Sequence, residues 1–456
     1  MPRHIIEKTI EAPAEMLEFG VESGQKLAHN IATGEHTKSI KKAKDYWYIL
    51  GPGLTTGASD DDPSGIATYS QAGAQTGFGF LWTAALTFPL MAAIQEVCAR
   101  IGLVTGRGLA SNIRQHFGKR TLYASATLLF AANTFNIGAD IGAMANATQL
   151  VFKLNTTLLV VGTTLLILLL QVFTPYVRYA KYLKWLALIL LAYIVSAILA
   201  KPEWGNIAKN TFVPHITFTK SNLILLCAVL GTTITPYLFF WQTSQEIEEE
   251  IADGKVTLAS RQGSDKESMK RMRIDVWSGM FFSNLVMFFI IAACASVLFT
   301  HGITDINTAA QAAKALRPFA GSASYYLFAA GIVGMGLLAI PVLAGSSAYA
   351  ISEIFGKRQG LNSKLKQGYA FYGVVIISMI VGLGINFLGI NPIKALIYSA
   401  VANGIVAPII LVQIMLLARN RKIMGEWTSG RVSGSLGWLL VGLMVFSGIA
   451  AIYSIV

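Results

Sequence analysis

A series of long apolar segments recurs from about residue 47 to the end of this chain, and it restricts the possible folds more than any other feature. A helix needs roughly 20 mostly apolar residues to cross a bilayer. Of the 456 residues, 54% are hydrophobic and only 13% are charged. Soluble domains carry about 25% charged residues, so the sequence predicts an all-α integral membrane protein.

The apolar segments predict about eleven membrane-spanning helices. The predicted spans lie near residues 47–72, 78–104, 122–151, 155–174, 181–200, 222–245, 275–300, 324–352, 368–389, 393–418 and 435–456. The first 44 residues are polar and predict a cytoplasmic tail, while the hydrophilic segment 246–274 predicts a cytoplasmic loop. The charges of this loop are predicted to be solvated, with a vestibule that attracts cations as the alternative.

The distribution of basic residues predicts the orientation of the chain. With a cytoplasmic N-terminus, the inner segments hold 29 and the outer segments seven of the 36 Lys and Arg residues. Basic residues concentrate in cytoplasmic loops, so we expect the N-terminus inside and, with an odd number of spans, the C-terminus outside. The same rule accounts for the net charge of +12 without a nucleic-acid partner. The protein is therefore expected in the plasma membrane.

The first span contains three consecutive carboxylates, Asp60, Asp61 and Asp62, followed by Pro63. Each carboxylate at membrane depth costs at least about 2.5 kcal/mol, so it is expected to face protein, water or a cation. Pro63 lacks an N–H group, and the glycines on both sides allow the chain to unwind. The sequence therefore predicts a helix break here, whose freed carbonyls a cation can satisfy.

The sixth span contains a second break signal, the segment 231–237 with the sequence GTTITPY. The first and sixth spans occupy the same place in two successive blocks of five spans and run in opposite directions. Matched interruptions of this kind indicate an inverted repeat and a transporter binding site. The half-helices that end near Ser59 and Thr232 carry partial negative charge at their ends, which favours a cation.

Other classes of protein find little support in the sequence. The three cysteines lie in apolar segments without a pairing motif, and no phosphate loop or nucleophile motif occurs. A metalloenzyme site inside the membrane needs histidines within spans. The six histidines lie in predicted tails or loops, at His4, His29, His36, His116, His215 and His301. We therefore expect no enzyme and no cofactor.

The segment from Gly51 through Pro63, with Ile66 to Gln75 after it, resembles the first span of Nramp divalent-metal transporters. The segments 99–106 and 231–236 resemble the end of the second span and the sixth-span motif of that family. The resemblance implies an inverted 5+5 repeat with a LeuT-like core, broken helices 1 and 6, and alternating access. It implies a tail at 1–44, repeats at 45–200 and 221–418, and an additional helix within 419–456.

Departures from the family pattern point to a different ion. Gly65 stands where the family has a ligand Asn, and Thr235-Pro236-Tyr237 replaces Met-Pro-His. A thioether favours transition metals, whereas a hydroxyl is a hard ligand. The acidic and histidine positions that the family associates with proton movement align with Asn136, Ala139 and Gln242. The pattern is most similar to the Nramp-related magnesium transporter branch, which is thought to lack proton coupling.

The resemblance and the breaks together give a predicted metal site made of oxygen ligands. Its members are Asp62, Ser59, Thr232, Thr235, Gly65 and Tyr237. Further residues are expected to line the cavity or support the site, with helix packing as the alternative for several of them: Asp60, Asp61, Asn403, Ala400, Asn136, Asp140 and Gln242. In the family a Gln that aligns with Ala400 reaches the metal, and Asn403 is a candidate to replace it.

The sequence thus predicts a uniporter for Mg²⁺ and Mn²⁺, which are its substrates, working as a monomer in the lipid bilayer. Three alternatives stay open at this point. They are a proton-coupled Mn²⁺/Fe²⁺ transporter of the ordinary Nramp type, an ion-coupled symporter of organic solutes on the same fold, and a sensor or channel.

Overall fold

A computed structural model describes residues 51–174, 188–215, 217–356, 360 and 368–455. This part of the chain is helical and contains no strand. The predicted tail 1–44 and the beginnings of the predicted spans 47–72 and 181–200 lie outside the described residues.

Fifteen helices of nine or more residues make up the described ranges. They are α1 Pro52–Asp60, α2 Pro63–Thr76, α3 Leu81–Thr105, α4 Leu109–Phe117, α5 Lys119–Val151, α6 Thr156–Phe173, α7 Leu191–Leu199, α8 Trp204–Phe212, α9 Lys220–Thr233, α10 Pro236–Ala252, α11 Lys266–Val297, α12 Ser324–Ile354, α13 Tyr369–Ile385, α14 Pro392–Arg419 and α15 Arg431–Ile455. Shorter helical turns connect some of them, at Leu258–Arg261, Ala309–Ala313, Arg317–Ala320 and Arg421–Met424.

Seven helical stretches among the described residues are long and apolar enough to cross a membrane. They are Pro63–Thr105, Thr156–Phe173, Lys220–Ala252, Lys266–His301, Ala309–Ile354, Pro392–Arg419 and Arg431–Ile455, and some of them contain more than one helix. The helices agree in position with the predicted spans, but the total of eleven crossings stays a prediction.

Both predicted breaks are present. Helix α1 ends at Asp60 and α2 begins at Pro63, and α9 ends at Thr233 while α10 begins at Pro236. In each pair the second half-helix carries its proline at the first helical position. That position has no intrahelical partner for an N–H group, so proline begins the half-helix there without loss of a hydrogen bond. Two residues without helical structure separate the halves in each case.

The broken helices pack in a reciprocal way. Helices α1 and α2 contact α11, the long helix that follows the second break, and α10 contacts α3, which follows the first. Such an exchange is the packing expected of two inverted repeats. Helix α5 packs against α12, α13 and α14 and brings its middle close to the first break. The residue ranges assigned to the repeats stay a prediction.

The segment predicted as the loop 246–274 is partly helical. Helix α10 continues to Ala252, and α11 already begins at Lys266. Glu246 and Glu250 are buried rather than solvated. Glu246 accepts a hydrogen bond from Gln242 one turn earlier, and Glu250 pairs with Lys255 at 3.0 Å. Because these partners satisfy the buried carboxylates, the acidic run continues the helix to Ala252. The hydrophilic composition of the segment did not predict this extension.

A close contact between α9 and α14 holds the first half-helix of the second break in place. A Cβ atom on Gly231 would lie 2.2 Å from the carbonyl oxygen of Ala400, and one on Gly404 would lie 2.6 Å from that of Cys227. Both contacting atoms belong to the backbone, so they cannot move aside as the end of a flexible side chain can. Small residues at both positions therefore let the two helices meet backbone to backbone.

We expect Gly404→Ala to destabilise the protein by about 1–3 kcal/mol, because the added methyl group forces the two backbones apart. Thermal unfolding of the detergent-solubilised protein measures the effect. Gly373→Ala on α13 is the matched control, since its Cβ would meet no atom within 4 Å. Equal melting temperatures for the two variants would contradict the packing described here.

Candidate functional site

Asp62 lies at the first break and is held from two sides. Its Oδ1 accepts a hydrogen bond from the backbone N–H of Gly65 at 2.7 Å, which caps the N-terminus of α2. Its Oδ2 accepts one from Nδ2 of Asn136 on α5 at 2.8 Å. The side chain is buried. The predicted ligand Asp62 and the predicted cavity residue Asn136 are therefore in direct contact.

The two breaks are joined through Tyr237. Its hydroxyl group, in the first turn of α10, donates to the carbonyl oxygen of Ser59 at 2.9 Å, near the end of α1. A carbonyl oxygen has two lone pairs, so this bond leaves one for a second partner. The structure thus places both predicted residues together, with Tyr237 orienting the carbonyl group that Ser59 offers.

Hydroxyl contacts connect α2 to α9. The Oγ atoms of Ser64 and Thr232 are 3.2 Å apart, and the hydroxyl groups of Tyr69 and Thr233 are 2.9 Å apart. A Cβ atom on Gly65 would lie 3.3 Å from the Asp60 carbonyl oxygen and 3.4 Å from Oγ1 of Thr232. Gly65 therefore lies where the ends of α1 and α9 approach each other, and a larger residue there would narrow the space between them.

Several buried oxygen atoms near the breaks have no hydrogen-bond partner within the described residues. They are Oγ1 of Thr235, Oδ1 of Asp60, of Asp61, of Asn136 and of Asn403, and both carboxylate oxygens of Asp140. The second carboxylate oxygen of Asp60 accepts from Ser283 on α11 at 2.6 Å. Buried oxygens normally have partners, so this group is suited to a ligand that accepts electron pairs.

No basic side chain balances the buried carboxyl groups of this region. Asp60, Asp61, Asp62 and Asp140 are each at most 3% exposed. Among the buried side chains of the described ranges, Arg100 is the one basic residue, and it contacts Glu96 and Ser429 instead. None of the ion pairs found in the described part of the chain includes these four aspartates. The arrangement is therefore suited to a cation.

The remaining predicted residues have other surroundings. Gln242 accepts from the Thr56 hydroxyl at 2.5 Å and donates to Glu246 at 2.8 Å, so it connects α1 to α10. Ala400 packs in a small apolar cluster with Cys227 and Ala228. Asn403 is buried one turn farther along α14.

Residues that the sequence did not single out also contribute. Ser283 and Ser64 lie at the breaks, and Thr56 lies one turn before Asp60. Ser283 and its neighbour Asn284 interrupt an otherwise apolar part of their span, a signal that was available in the sequence. In the described residues no group of three or more His, Cys, Asp or Glu side chains is arranged to hold a metal ion. A bound metal would therefore also need carbonyl, hydroxyl or water oxygens.

Comparison with protein families gives one match over most of the chain. The model for the family described as "Natural resistance-associated macrophage protein-like" (Nramp) matches residues 53–454. A relative from Klebsiella pneumoniae, described as "Divalent metal cation transporter MntH", is 26% identical and covers 90% of this chain and 95% of its own. A relative of the same description from Clostridium acetobutylicum is 25% identical and covers 95% and 97%.

Two solved structures show the fold. A manganese transporter of Eremococcus coleocola, in complex with an aromatic bis-isothiourea compound, superposes with a TM-score of 0.68 at 19% identity, over 90% of this chain and 87% of that one. Mhp1, a nucleobase-cation-symport-1 family transporter, superposes with a TM-score of 0.55 at 16% identity, over 89% and 91%. The predicted LeuT-like, all-α membrane fold is thereby confirmed.

Replacement of Tyr237 by Phe removes the bond to Ser59 while it keeps the ring. We expect a loss of about 1–3 kcal/mol in stability, because a buried carbonyl group loses its partner. Thermal unfolding in detergent measures the loss. Tyr326→Phe serves as the control, since Tyr326 is 62% exposed. An unchanged melting temperature for Tyr237→Phe would show that the two breaks are not joined through this hydroxyl group.

Proposed function

We propose a function from one premise, which is that this chain belongs to the Nramp family. The protein is a multi-pass membrane transporter of divalent metal cations. Its substrates are Mg²⁺ and Mn²⁺, it works by alternating access, and it does not couple transport to protons. It lies in the plasma membrane with a cytoplasmic N-terminus and an extracellular C-terminus, and it functions as a monomer with the two five-helix repeats as its moving parts.

The observation that carries this proposal is the excess of buried carboxyl groups at the first break. Four aspartates lie there without a basic partner in the described residues. A divalent cation supplies the missing positive charge, and the surrounding carbonyl and hydroxyl oxygens supply further ligands. Asp62 is the central ligand, with the Ser59 carbonyl and the hydroxyls of Thr232 and Thr235 around it.

The chemistry of these ligands supports a hard ion. Thr235 offers a hydroxyl group where the resembling family offers a thioether, and hydroxyl and carboxylate oxygens suit Mg²⁺ and Mn²⁺. Mg²⁺ keeps several of its waters and is bound through one or two carboxylates. Gly65 supplies no side-chain ligand beside Asp60 and Thr232, so the remaining positions on the ion are left to retained waters in this proposal.

Neutral amides at two positions support transport without protons. Asn136 donates to Asp62, and Gln242 bridges Thr56 and Glu246. The family has ionisable residues at the positions that align with both. An amide cannot take up or release a proton near neutral pH, so these positions do not carry protons with the metal.

Contacts on both sides of the site support alternating access. Toward its N-terminal end, α1 is held by Asp275, whose carboxylate accepts from the N–H groups of Gly53 at 2.6 Å and Leu54 at 3.1 Å. Toward the other side, Gln71 of α2 accepts from the N–H of Ile306 at 2.9 Å and donates to the Thr304 carbonyl at 3.1 Å. Asp62 is 1% exposed between them. Opening one set of contacts at a time exposes the site to one side.

The runner-up function is a proton-coupled Mn²⁺/Fe²⁺ transporter. The unpartnered oxygens of Asp60, Asp61 and Asp140 favour it, because buried carboxyl groups are able to carry protons. A symporter of organic solutes is a further alternative, and its only support is the fold that this chain has in common with Mhp1.

Purified protein in liposomes is expected to take up Mg²⁺ when the interior is negative, without acidification of the lumen. A potential of roughly 100 mV contributes about 4.6 kcal/mol to the entry of a divalent ion. A magnesium-sensitive dye and a pH-sensitive dye in parallel vesicles measure the two fluxes. Asp62→Ala is the inactive control, because it removes the central carboxylate.

Three results would contradict this expectation. Proton influx that scales with metal flux would favour the runner-up, and Mg²⁺ flux retained in a folded Asp62→Ala variant would move the site elsewhere. Exclusion of Mg²⁺ with uptake of Mn²⁺ alone would also favour the runner-up.

Thr235→Met is expected to shift preference from Mg²⁺ toward Mn²⁺ and Cd²⁺, because a soft thioether replaces a hard hydroxyl. Competition between these ions in the liposome assay measures the shift. Thr235→Val is the matched control, since it removes the hydroxyl group without adding sulfur and should weaken transport of all three ions. If Thr235→Met and Thr235→Val have the same ion preference, the thioether does not govern selectivity here.

A further inference from the structure

Asp140 lies on α5, whereas the other three buried aspartates of this region lie at the first break. It lies in the middle of α5, is fully buried, and neither carboxylate oxygen has a hydrogen-bond partner in the described residues. Its neighbourhood includes the backbone N–H of Ser64 and the Asp62 carboxyl group. A charged group in this position needs compensation, which no basic side chain of the described ranges supplies.

The position of Asp140 on α5 relates it to Asp62. Residues four apart on a helix lie on the same face, so Asp140 shares a face with Asn136. Asn136 donates to Oδ2 of Asp62. Asp140 therefore lies one helical turn beyond a residue that touches the central carboxylate.

We propose that Asp140 is the second carboxylate of the cation site and holds the divalent ion through the ion's own water. This inference rests on the proposed function. Asp62 and Asp140 together carry two negative charges when ionised, which balance one divalent cation. Asp60 is less suited to this role, because its Oδ2 is turned to Ser283 on α11.

Spacing favours contact through water. One helical turn advances about 5.4 Å along the axis, whereas a direct bond between Mg²⁺ and oxygen is about 2.1 Å long. Asn136 already contacts Asp62 and Asp140 lies one turn farther along α5, so we place a water molecule between the ion and Asp140. Mg²⁺ gives up its water reluctantly, so a carboxylate that accepts hydrogen bonds from retained water stabilises the ion without removing that shell.

A structural role for Asp140 makes a different prediction. If Asp140 only accepts from the N–H group of Ser64 and so caps α2, an uncharged amide oxygen serves equally well. Asp140→Asn keeps an oxygen acceptor of the same size and removes the charge. This variant therefore separates the two roles.

The test is Mg²⁺ uptake by the full-length protein in liposomes over a range of Mg²⁺ concentrations. We expect Asp140→Asn to raise KM for Mg²⁺ about tenfold, as for the loss of one charge-assisted contact. Asp140→Glu keeps the charge and is expected to stay within about threefold of the unchanged protein. Asp305→Asn, at an exposed position in the segment after α11, is the matched control for loss of an aspartate.

A second measurement is independent of transport. Mg²⁺ raises the melting temperature of a protein that binds it, and Asp140→Asn should need about tenfold more Mg²⁺ for the same shift. The proposal is overturned if Asp140→Asn has the same KM and the same Mg²⁺-dependent shift in melting temperature as Asp305→Asn. Equal increases in KM for Asp140→Asn and Asp140→Glu would also overturn it. If the unchanged protein takes up no divalent ion, or Asp62→Ala stays active, it is the proposed function that fails.

Discussion

The constraint on which this structure depends is the burial of four carboxyl groups without a buried basic partner in the described part of the chain. Ionised carboxylates in a low-dielectric interior are costly unless they are paired or hydrogen-bonded. Here the carboxyl groups contact dipoles in place of charges. Asp62 accepts hydrogen bonds from the N-terminus of α2 and from Asn136, and Asp60 accepts one from the Ser283 hydroxyl group. Dipoles reduce the cost of burial but supply no net positive charge. The region is therefore suited to a cation.

The helix breaks are what bring these dipoles to one place. An unbroken helix satisfies its own backbone groups, whereas each break exposes carbonyls of the half-helix before it and N–H groups of the half-helix after it. Asp62 uses the N–H groups of α2, and Tyr237 from the other break uses the carbonyl of Ser59. Since Tyr237 also belongs to α10, a displacement of α1 is felt directly at the second break. The two breaks are in this way connected through the Tyr237 hydroxyl group, and the bond between Thr56 and Gln242 adds a second connection between α1 and α10.

The breaks could be predicted from the sequence because their causes are local. Proline lacks an N–H group, glycine permits unwinding, and consecutive aspartates at membrane depth require a polar environment. The contacts made by Thr56 and Ser283 could not be predicted, because they join helices that are far apart in the chain. Glu246 could not be predicted for a related reason: its run of acidic neighbours is typical of a solvated loop, and only the packing of α10 explains its burial.

Asn136 shows how a neutral residue at such a site determines its chemistry. A carboxyl group at that position would share a proton with Asp62 and tie the charge of the site to pH. The amide donates a hydrogen bond at 2.8 Å but keeps its own protons. Its hydrogen bond stabilises the Asp62 carboxylate, and the amide does not add a second group that takes up protons. Within the proposed function, the charge of the substrate ion is balanced by carboxylates, and Asp140 is the proposed second carboxylate beside Asp62.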